Sequence, residues 1–296
     1  MVLNAETIKA LSFTVSTLFN KALKSTEPWY PKIATVVKSS TSKNIYPMME
    51  SLVSLREWVD ERFIQNLKAQ KWEIENKSFE ATVGINKEDI EDDNTGVYSP
   101  MIEELGRAAA KHPDKLVAQL LLNGHTSKIW DGKNFFDTGH PVGKDLTFDN
   151  KFGLALTADN YATVRAAMMQ ISDPDGKPLG IVPNLLVVPP QLEATARQIL
   201  NAEIISSTTN IWRNSADLMV IPELASEANR WFLLDTSRAL KPFIVQMRKR
   251  PQLVRKDKVS DDNVFFFKKL LYGVDYRGNA GFGLWQIAAA SDPDWA

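Results

Sequence analysis

Apolar residues Ile8, Leu11, Val15, Leu18, Phe19, Ala22 and Leu23 fall three and four positions apart. That spacing predicts an amphipathic helix, with Asn4 as its N-cap and Pro28 and Pro31 closing it. A leading arm cannot bury such a stripe by itself, so the helix must pack on the body or on another subunit. Residues 33–37 read as a short strand and 39–44 as a polar connection. Farther along, Phe79, Ala81, Val83 and Ile85 alternate with Glu80, Thr82, Gly84 and Asn86, the period-two pattern of a half-buried ribbon. Residues 62–67 and 72–75 read as companion strand pieces, with Asn76, Lys77 and Ser78 as a turn. A ribbon of this kind is marginal alone and implies a surface to lie against.

The period then lengthens. Met101, Ile102, Leu105, Ala108 and Ala109, followed beyond Pro113 by Leu116, Leu120 and Leu121, predict a long helix over 98–122. Pro113 should bend or restart it, and Asn123-Gly124 should stop it. From about residue 150 helical and strand patterns alternate. A helix over 158–171 ends at the turn Asp173-Pro174-Asp175-Gly176, and a buried strand follows at 185–188. Pro189 and Pro190 open a helix reaching Leu200. Further strands are expected at 218–221, 231–234, 243–247, 264–272 and 281–287. No internal repeat or low-complexity tract interrupts the pattern.

Composition narrows the functional classes. The 296 residues carry 35 Lys and Arg against 36 Asp and Glu, for a formal net charge of -1. No global positive excess exists to release phosphate counterions, so any nucleic-acid contact has to be local. The absence of cysteine excludes disulfides, thiolate zinc sites and cysteine nucleophiles, and fits a reducing compartment. The opening residues lack the pattern of a secretory signal, and no apolar run is long enough for a membrane span, so a soluble protein with no membrane partner is expected.

Candidate chemistry is sparse. His125, Asp131, Asp137 and His140 share one segment, GHTSKIWDGKNFFDTGHP, and offer the best metal or metal-dependent hydrolase hypothesis. The simpler reading is a Gly- and Asp-rich loop held by local turn hydrogen bonds. The acidic run Glu88, Asp89, Glu91, Asp92 and Asp93 lacks the glycine turn and terminal Glu of a calcium loop, and reads as a cap on the long helix. Gly273, Gly278, Gly281 and Gly283 precede β-prone residues, so turn and strand are expected there instead of a phosphate cradle. Arg248, Lys249, Arg250, Arg255, Lys256 and Lys258 form a basic stretch. It is either a patch facing nucleic acid or acidic neighbours, or a solvated loop between strands. No catalytic, cofactor or metal residue is assigned.

A set of strings gives these elements a context. Arg56-Glu57-Trp58, Arg62, Ile74-Glu75-Asn76-Lys77-Ser78-Phe79-Glu80-Ala81-Thr82-Val83 and Asp89-Ile90-Glu91-Asp92-Asp93 resemble the Mu-like phage major head subunit family. So do Gly96-Val97-Tyr98, Leu105-Gly106-Arg107-Ala108-Ala109, Asp131-Gly132, Phe135-Phe136 and His140-Pro141. Leu185-Leu186-Val187-Val188-Pro189-Pro190, Tyr272-Gly273-Val274-Asp275 and Arg277-Gly278-Asn279-Ala280-Gly281-Phe282-Gly283-Leu284-Trp285 complete the set. Each string is weak alone; their order through nearly the whole chain is specific.

The resemblance implies an α+β, HK97-like tailed-phage capsid fold. Its parts would be an N-terminal arm (1–50), an extended β-hairpin loop (51–95), a peripheral domain with a long spine helix (96–149), an axial domain (150–238) and a return to the peripheral domain (239–296). It implies a non-enzymatic, icosahedral shell protein of the virion, assembled in the host bacterial cytoplasm as hexamers and pentamers around double-stranded DNA. Expected partners are a separate scaffolding protein, because too few residues precede the ribbon for a fused one, with a portal and decoration proteins. Trp58, Arg62, Trp72, Ile74 and Phe79 are the candidate inter-subunit contacts. An encapsulin-like compartment shell is the rival within the same fold, and a tail or portal subunit is disfavoured by the ribbon and spine-helix order. A compact globule of this length would have a radius of gyration near ~19 Å. Small-angle scattering is expected to give a larger value for a subunit with an extended arm and ribbon.

Overall fold

The computed structural model describes residues 5–49, 69–92, 95–205, 207–258 and 260–295. The first helix, α1 (Ala5–Ser25), is followed by a single turn, α2 (Tyr30–Ile33), and then β1 (Ala34–Lys38), β2 (Lys43–Met49), β3 (Ala69–Glu75) and β4 (Lys77–Asn86). A short α3 (Lys87–Glu91) leads to the long α4 (Ser99–Asn123). The middle of the chain forms β5 (His140–Val142), β6 (Leu146–Phe148), β7 (Lys151–Phe152), α5 (Ala158–Met169), β8 (Leu185–Val188) and α6 (Glu193–Asn201). After it come β9 (Ile204–Ile205), β10 (Thr208–Thr209), β11 (Asp217–Val220) and β12 (Trp231–Leu234). The end comprises β13 (Phe243–Lys256), α7 (Asp262–Phe267), β14 (Lys269–Phe282) and β15 (Ala288–Ser291). The proposed cap Asn4 lies outside the described residues.

Two sheets divide the work. One runs β1-β13-β14-β4, with β1 parallel to β13 and the other pairs antiparallel. The other runs β11-β8-β12-β15-β7, and its central strands β8, β12 and β15 are buried on both faces. Such strands read as continuous apolar runs, which is why Leu185 to Val188 and Trp231 to Leu234 were legible.

The stripe of α1 is buried by its own chain. Ile8, Val15 and Phe19 join Ile102, Leu105 and Ala109 of α4 and Ile85, Leu270, Tyr272 and Val274 of the first sheet in one apolar cluster. The two helices touch at Gly106, where a Cβ would lie 2.6 Å from the Phe19 carbonyl oxygen. That approach admits only glycine.

The helix α4 runs through Pro113, which is buried inside it. The next residue, Asp114, is fully buried, and its Oδ1 accepts the Tyr30 N–H at 2.8 Å, capping α2 from outside. Burial pushes this carboxyl up to about 6, against hydrogen bonding from α2. A folded-state value above the unfolded one means the native chain holds the extra proton, so stability falls as pH rises through that window. Wild type is expected to lose stability relative to Asp114→Asn between pH 4 and pH 6, since asparagine keeps the acceptor for Tyr30. Parallel urea titrations with a constant difference across that range would refute this.

Gly124 ends α4 in a right-handed conformation, with φ -61°. It is required for space, because a Cβ would meet Phe136 Cδ2 at 2.5 Å.

Three expectations are corrected. Asn76, Lys77 and Ser78 are not a hairpin turn: β3 pairs with β2, and β4 pairs with β14 over ten residues. The two-stranded ribbon is therefore β2 with β3, and the alternating segment of β4 belongs to the body. The acidic run does not cap α4, whose first turn carries no acidic residue. Glu88, Asp89 and Glu91 belong to their own short helix, where Glu88 pairs with Lys268 at 2.8 Å and Asp89 accepts hydrogen bonds from Asn86 and Tyr98; Asp93 lies outside the described residues. Finally, part of the expected strand over 264–272 is helical. Asn263 donates to the carbonyls of Lys256 and Lys269, bridging the neck of the hairpin, and Lys268 closes α7 in the left-handed region at φ 51°.

Candidate functional site: assembly surfaces and a buried polar cluster

The four residues of the metal hypothesis do not converge. Asp131 Oδ2 lies 2.6 Å from His140 Nδ1, and both side chains are buried. His140 stacks on Trp285, with ring centroids 4.1 Å apart, and its Nε2 is 3.2 Å from Asn150 Oδ1. Asp137 instead accepts the N–H groups of Asn134 and Thr138, each at 2.9 Å. Burial alone would raise the Asp137 carboxyl, but those N–H groups outweigh it and hold it below the usual range. His125 packs on Trp295, and burial, then the Arg230 guanidinium, lowers its pKa. Among the described residues no cluster of His, Cys, Asp or Glu can hold a metal ion. Asp131 and Asp137 make local turn hydrogen bonds, Asp131 Oδ1 accepting the Lys133 N–H at 3.0 Å, whereas both histidines pack against the end of the chain.

The hub of this region is a residue that sequence patterns did not single out. Asn150 Nδ2 donates to the carbonyls of Phe135 at 2.8 Å, Ala288 at 3.0 Å and Trp285 at 3.3 Å, while Oδ1 accepts the Asp137 N–H at 2.9 Å. It ties the loop after α4 to the end of the chain. A lone asparagine between two short strands carries no periodic signal.

The candidate contact residues separate into different environments. Trp58 and Arg62 lie outside the described residues. Ile74 is buried in its own chain, 4 % exposed, beneath Gly281, and so does not face a neighbour. Trp72 is half-buried against the main core. Phe79 lies over His112, with centroids 4.2 Å apart, and near Tyr276 at 5.8 Å, on the wall of a shallow cleft between β4 and α4.

Gln246 fixes the base of the ribbon. Its Nε2 donates to the Ile74 carbonyl at 2.8 Å and to Asn76 Oδ1 at 2.9 Å, and its Oε1 accepts the Tyr46 hydroxyl at 3.0 Å. The ribbon thus grows from the first sheet through a buried polar joint.

The basic stretch is strand, not loop, as far as Lys256; Lys258 lies just beyond it. Residues 248–256 belong to β13, whose register against β14 shifts between Met247 and Lys249 and again between Lys249 and Gln252. Pro251 falls within the second irregularity, where a missing N–H is tolerated. Arg248, Arg250, Arg255, Lys256 and Lys258 are exposed, whereas Lys249 is half-buried and pairs with Asp275 at 3.2 Å.

A long helix laid along an elongated sheet, a second mixed sheet with flanking helices and a ribbon rising from the first sheet define a subunit of the HK97-like tailed-phage capsid class. The chain of the bacteriophage JBD30 procapsid matches with a TM-score of 0.66 and 33% identity, over 98% of this chain and 76% of that one. A virus-like particle from Pyrococcus furiosus matches with a TM-score of 0.57 over 94% of this chain and 98% of that one, but at 8% identity it shows the fold alone. The profile described as Mu-like prophage major head subunit gpT matches residues 8–155, 146–224 and 222–294, and the chain belongs to that family. It is 34% identical to the major capsid protein of Escherichia phage Mu, over 99% of this chain and 76% of the relative. It is also 34% identical to the Mu-like prophage FluMu major head subunit of Haemophilus influenzae, over 96% and 72%. The protein is a structural component of a phage head, built from many copies, and not an enzyme.

Proposed function

We propose that this chain closes an icosahedral shell of hexamers and pentamers around double-stranded DNA, in the host bacterial cytoplasm, under the direction of a separate scaffolding protein. A portal and decoration proteins complete the head. The observation that carries this reading is the ribbon of β2 and β3. It is a two-stranded sheet of seven-residue strands joined to the body at one end, and Ile45 on it is 51% exposed. Such a ribbon is marginal in isolation and gains stability against a neighbouring copy.

In this arrangement residues 1–50 act as the arm, save that β2 lends its strand to the ribbon, and 51–95 act as the extended loop, save that β4 belongs to the body. Residues 96–149 and 239–296 act as the peripheral domain with α4 as spine, and 150–238 as the axial domain. Trp72 and Phe79, both half-buried, remain the contact candidates among the described residues. Arg248, Lys249, Arg250, Arg255, Lys256 and Lys258 supply a local, non-specific contact to packaged DNA, screened in part by Asp275 and Asp262. Modest contacts suffice, because symmetric closure multiplies them.

Electron microscopy of the chain expressed alone, and with its neighbouring gene products, tests this. Uniform closed particles are expected only in the second case. Uniform native-size shells from the chain alone would overturn the scaffolding requirement, and absence of closed particles in both would overturn the shell.

A further inference from the structure

Phe265, Phe266 and Phe267 are 79%, 69% and 71% exposed, three consecutive aromatic side chains at the tip of the β13–β14 hairpin. Their rings touch in series, at 5.0 Å and 6.4 Å between centroids. A phenylalanine carries roughly 150–250 Å² of surface, so the patch is on the order of 400 Å², at the size where exposed apolar area marks an interaction site. The knob is held firmly outward. Val264 is buried beneath it in the α1–α4 cluster, and Asn263 bridges both strands of the hairpin neck.

An apolar cleft of about 210 Å³ lies between α1, α3 and α4, lined by Ala10, Leu11, Thr14, Ile85, Ile90 and Ile102. An apolar cavity of roughly 150 Å³ already accepts benzene, so one phenyl ring fits. Part of the nearby charge is already paired within the subunit, Lys268 with Glu88, Lys256 with Asp262 and Lys87 with Glu91. That leaves Lys258 and Lys269 beside the knob and Asp89 and Asp92 on the α3 side to complement each other between copies. Knob and cleft sit side by side on one subunit, since the Lys87 N–H donates to the Lys268 carbonyl at 2.8 Å. Two copies meeting near a local symmetry axis can therefore exchange them.

We propose that the Phe265, Phe266 and Phe267 knob of one copy docks into the α1–α3–α4 cleft of a second copy. This contact rests on the shell reading and specifies one of its interfaces. Apolar burial supplies the adhesion, and the basic rim against the acidic helix sets the approach.

The lack of cysteine in the chain makes the test clean. Phe266→Cys and Thr14→Cys chains are co-expressed with the neighbouring gene products, and purified particles are oxidised; Leu11→Cys serves as a second cleft position. A disulfide-linked heterodimer on a non-reducing gel is expected in the mixed particles and in neither single-variant preparation. Intact particles without a heterodimer at both cleft positions, or with only Phe266→Cys homodimers, would overturn the proposal. A triple Phe265→Ser, Phe266→Ser, Phe267→Ser chain is expected to keep the subunit's melting temperature and lose particle formation. Particle yield equal to wild type would mean that the knob meets a decoration protein or nucleic acid instead. Failure of the unsubstituted chain to form any shell would defeat the underlying reading, and is seen separately in the wild-type control.

Discussion

Replacing Asn150 by alanine is expected to cost the folded subunit roughly 3–5 kcal/mol, because each buried polar group left without a partner costs about 1–3 kcal/mol. The substitution strands the carbonyls of Phe135 and Ala288 and the Asp137 N–H, and removes the Nε2 partner of a fully buried His140. No solvent can enter to replace them, since Trp285 and Phe135 around the site are also fully buried. Asn150→Asp separates donor from acceptor roles. The carboxylate still accepts from Asp137 but cannot donate to the three carbonyls, so most of the loss should persist. Urea denaturation followed by tryptophan fluorescence measures both. A midpoint shift equivalent to under about 1 kcal/mol for the alanine variant would show that the network is not what joins the α4 loop to the chain end.

The second large effect concerns the seat of the ribbon. A Cβ built on Gly281 would lie 2.4 Å from Ile74 Cδ1 and 2.6 Å from its Cγ1. Gly281→Val therefore drives β3 off β14 and is expected to destabilise by about 1–3 kcal/mol, the range of core overpacking. The damage should be local. Hydrogen exchange is expected to quicken in β2 and β3, while the amides joining β13 to β14 stay protected. Shell assembly should fall with it, if the ribbon is the contact proposed. Ile74→Ala in the same chain makes room for the new side chain and should restore part of the loss, so the two changes couple instead of adding. Strict additivity would mean that the close approach of Gly281 and Ile74 is not the cause.

Much of the fold was legible because its signals are local. The stripe from Ile8 to Leu23, the 25-residue α4 and the doubly buried β8 and β12 each declare their type and their buried face through short-range periodicity. The ordered strings that resemble Mu-like head subunits pointed to the architecture, and hence the class of function, that periodicity could not. The misreadings share another origin. Alternation in β4 announced a strand with one buried face but not its partner, and the adjacent Asn76 invited a hairpin with β3. In the folded chain the partner is β14, almost 200 residues away by the pairing of Phe79 with Tyr276.

The sequence by itself determined the long helices α1, α4 and α5, the buried strands β8 and β12, the lack of thiol chemistry and the family to which the chain belongs. The short helices α2, α3 and α7 and the buried strand β15, placed at 288–291 where a strand over 281–287 was expected, were not legible in it. Only the tertiary structure decided which strands pair, that the basic residues ride on β13, that Asp131 and His140 close on each other in the dry interior, and that three phenylalanines face outward. The reason is physical. A residue's neighbours along the chain fix which side of an element is apolar, but the partner that covers that side is selected by contacts between distant segments.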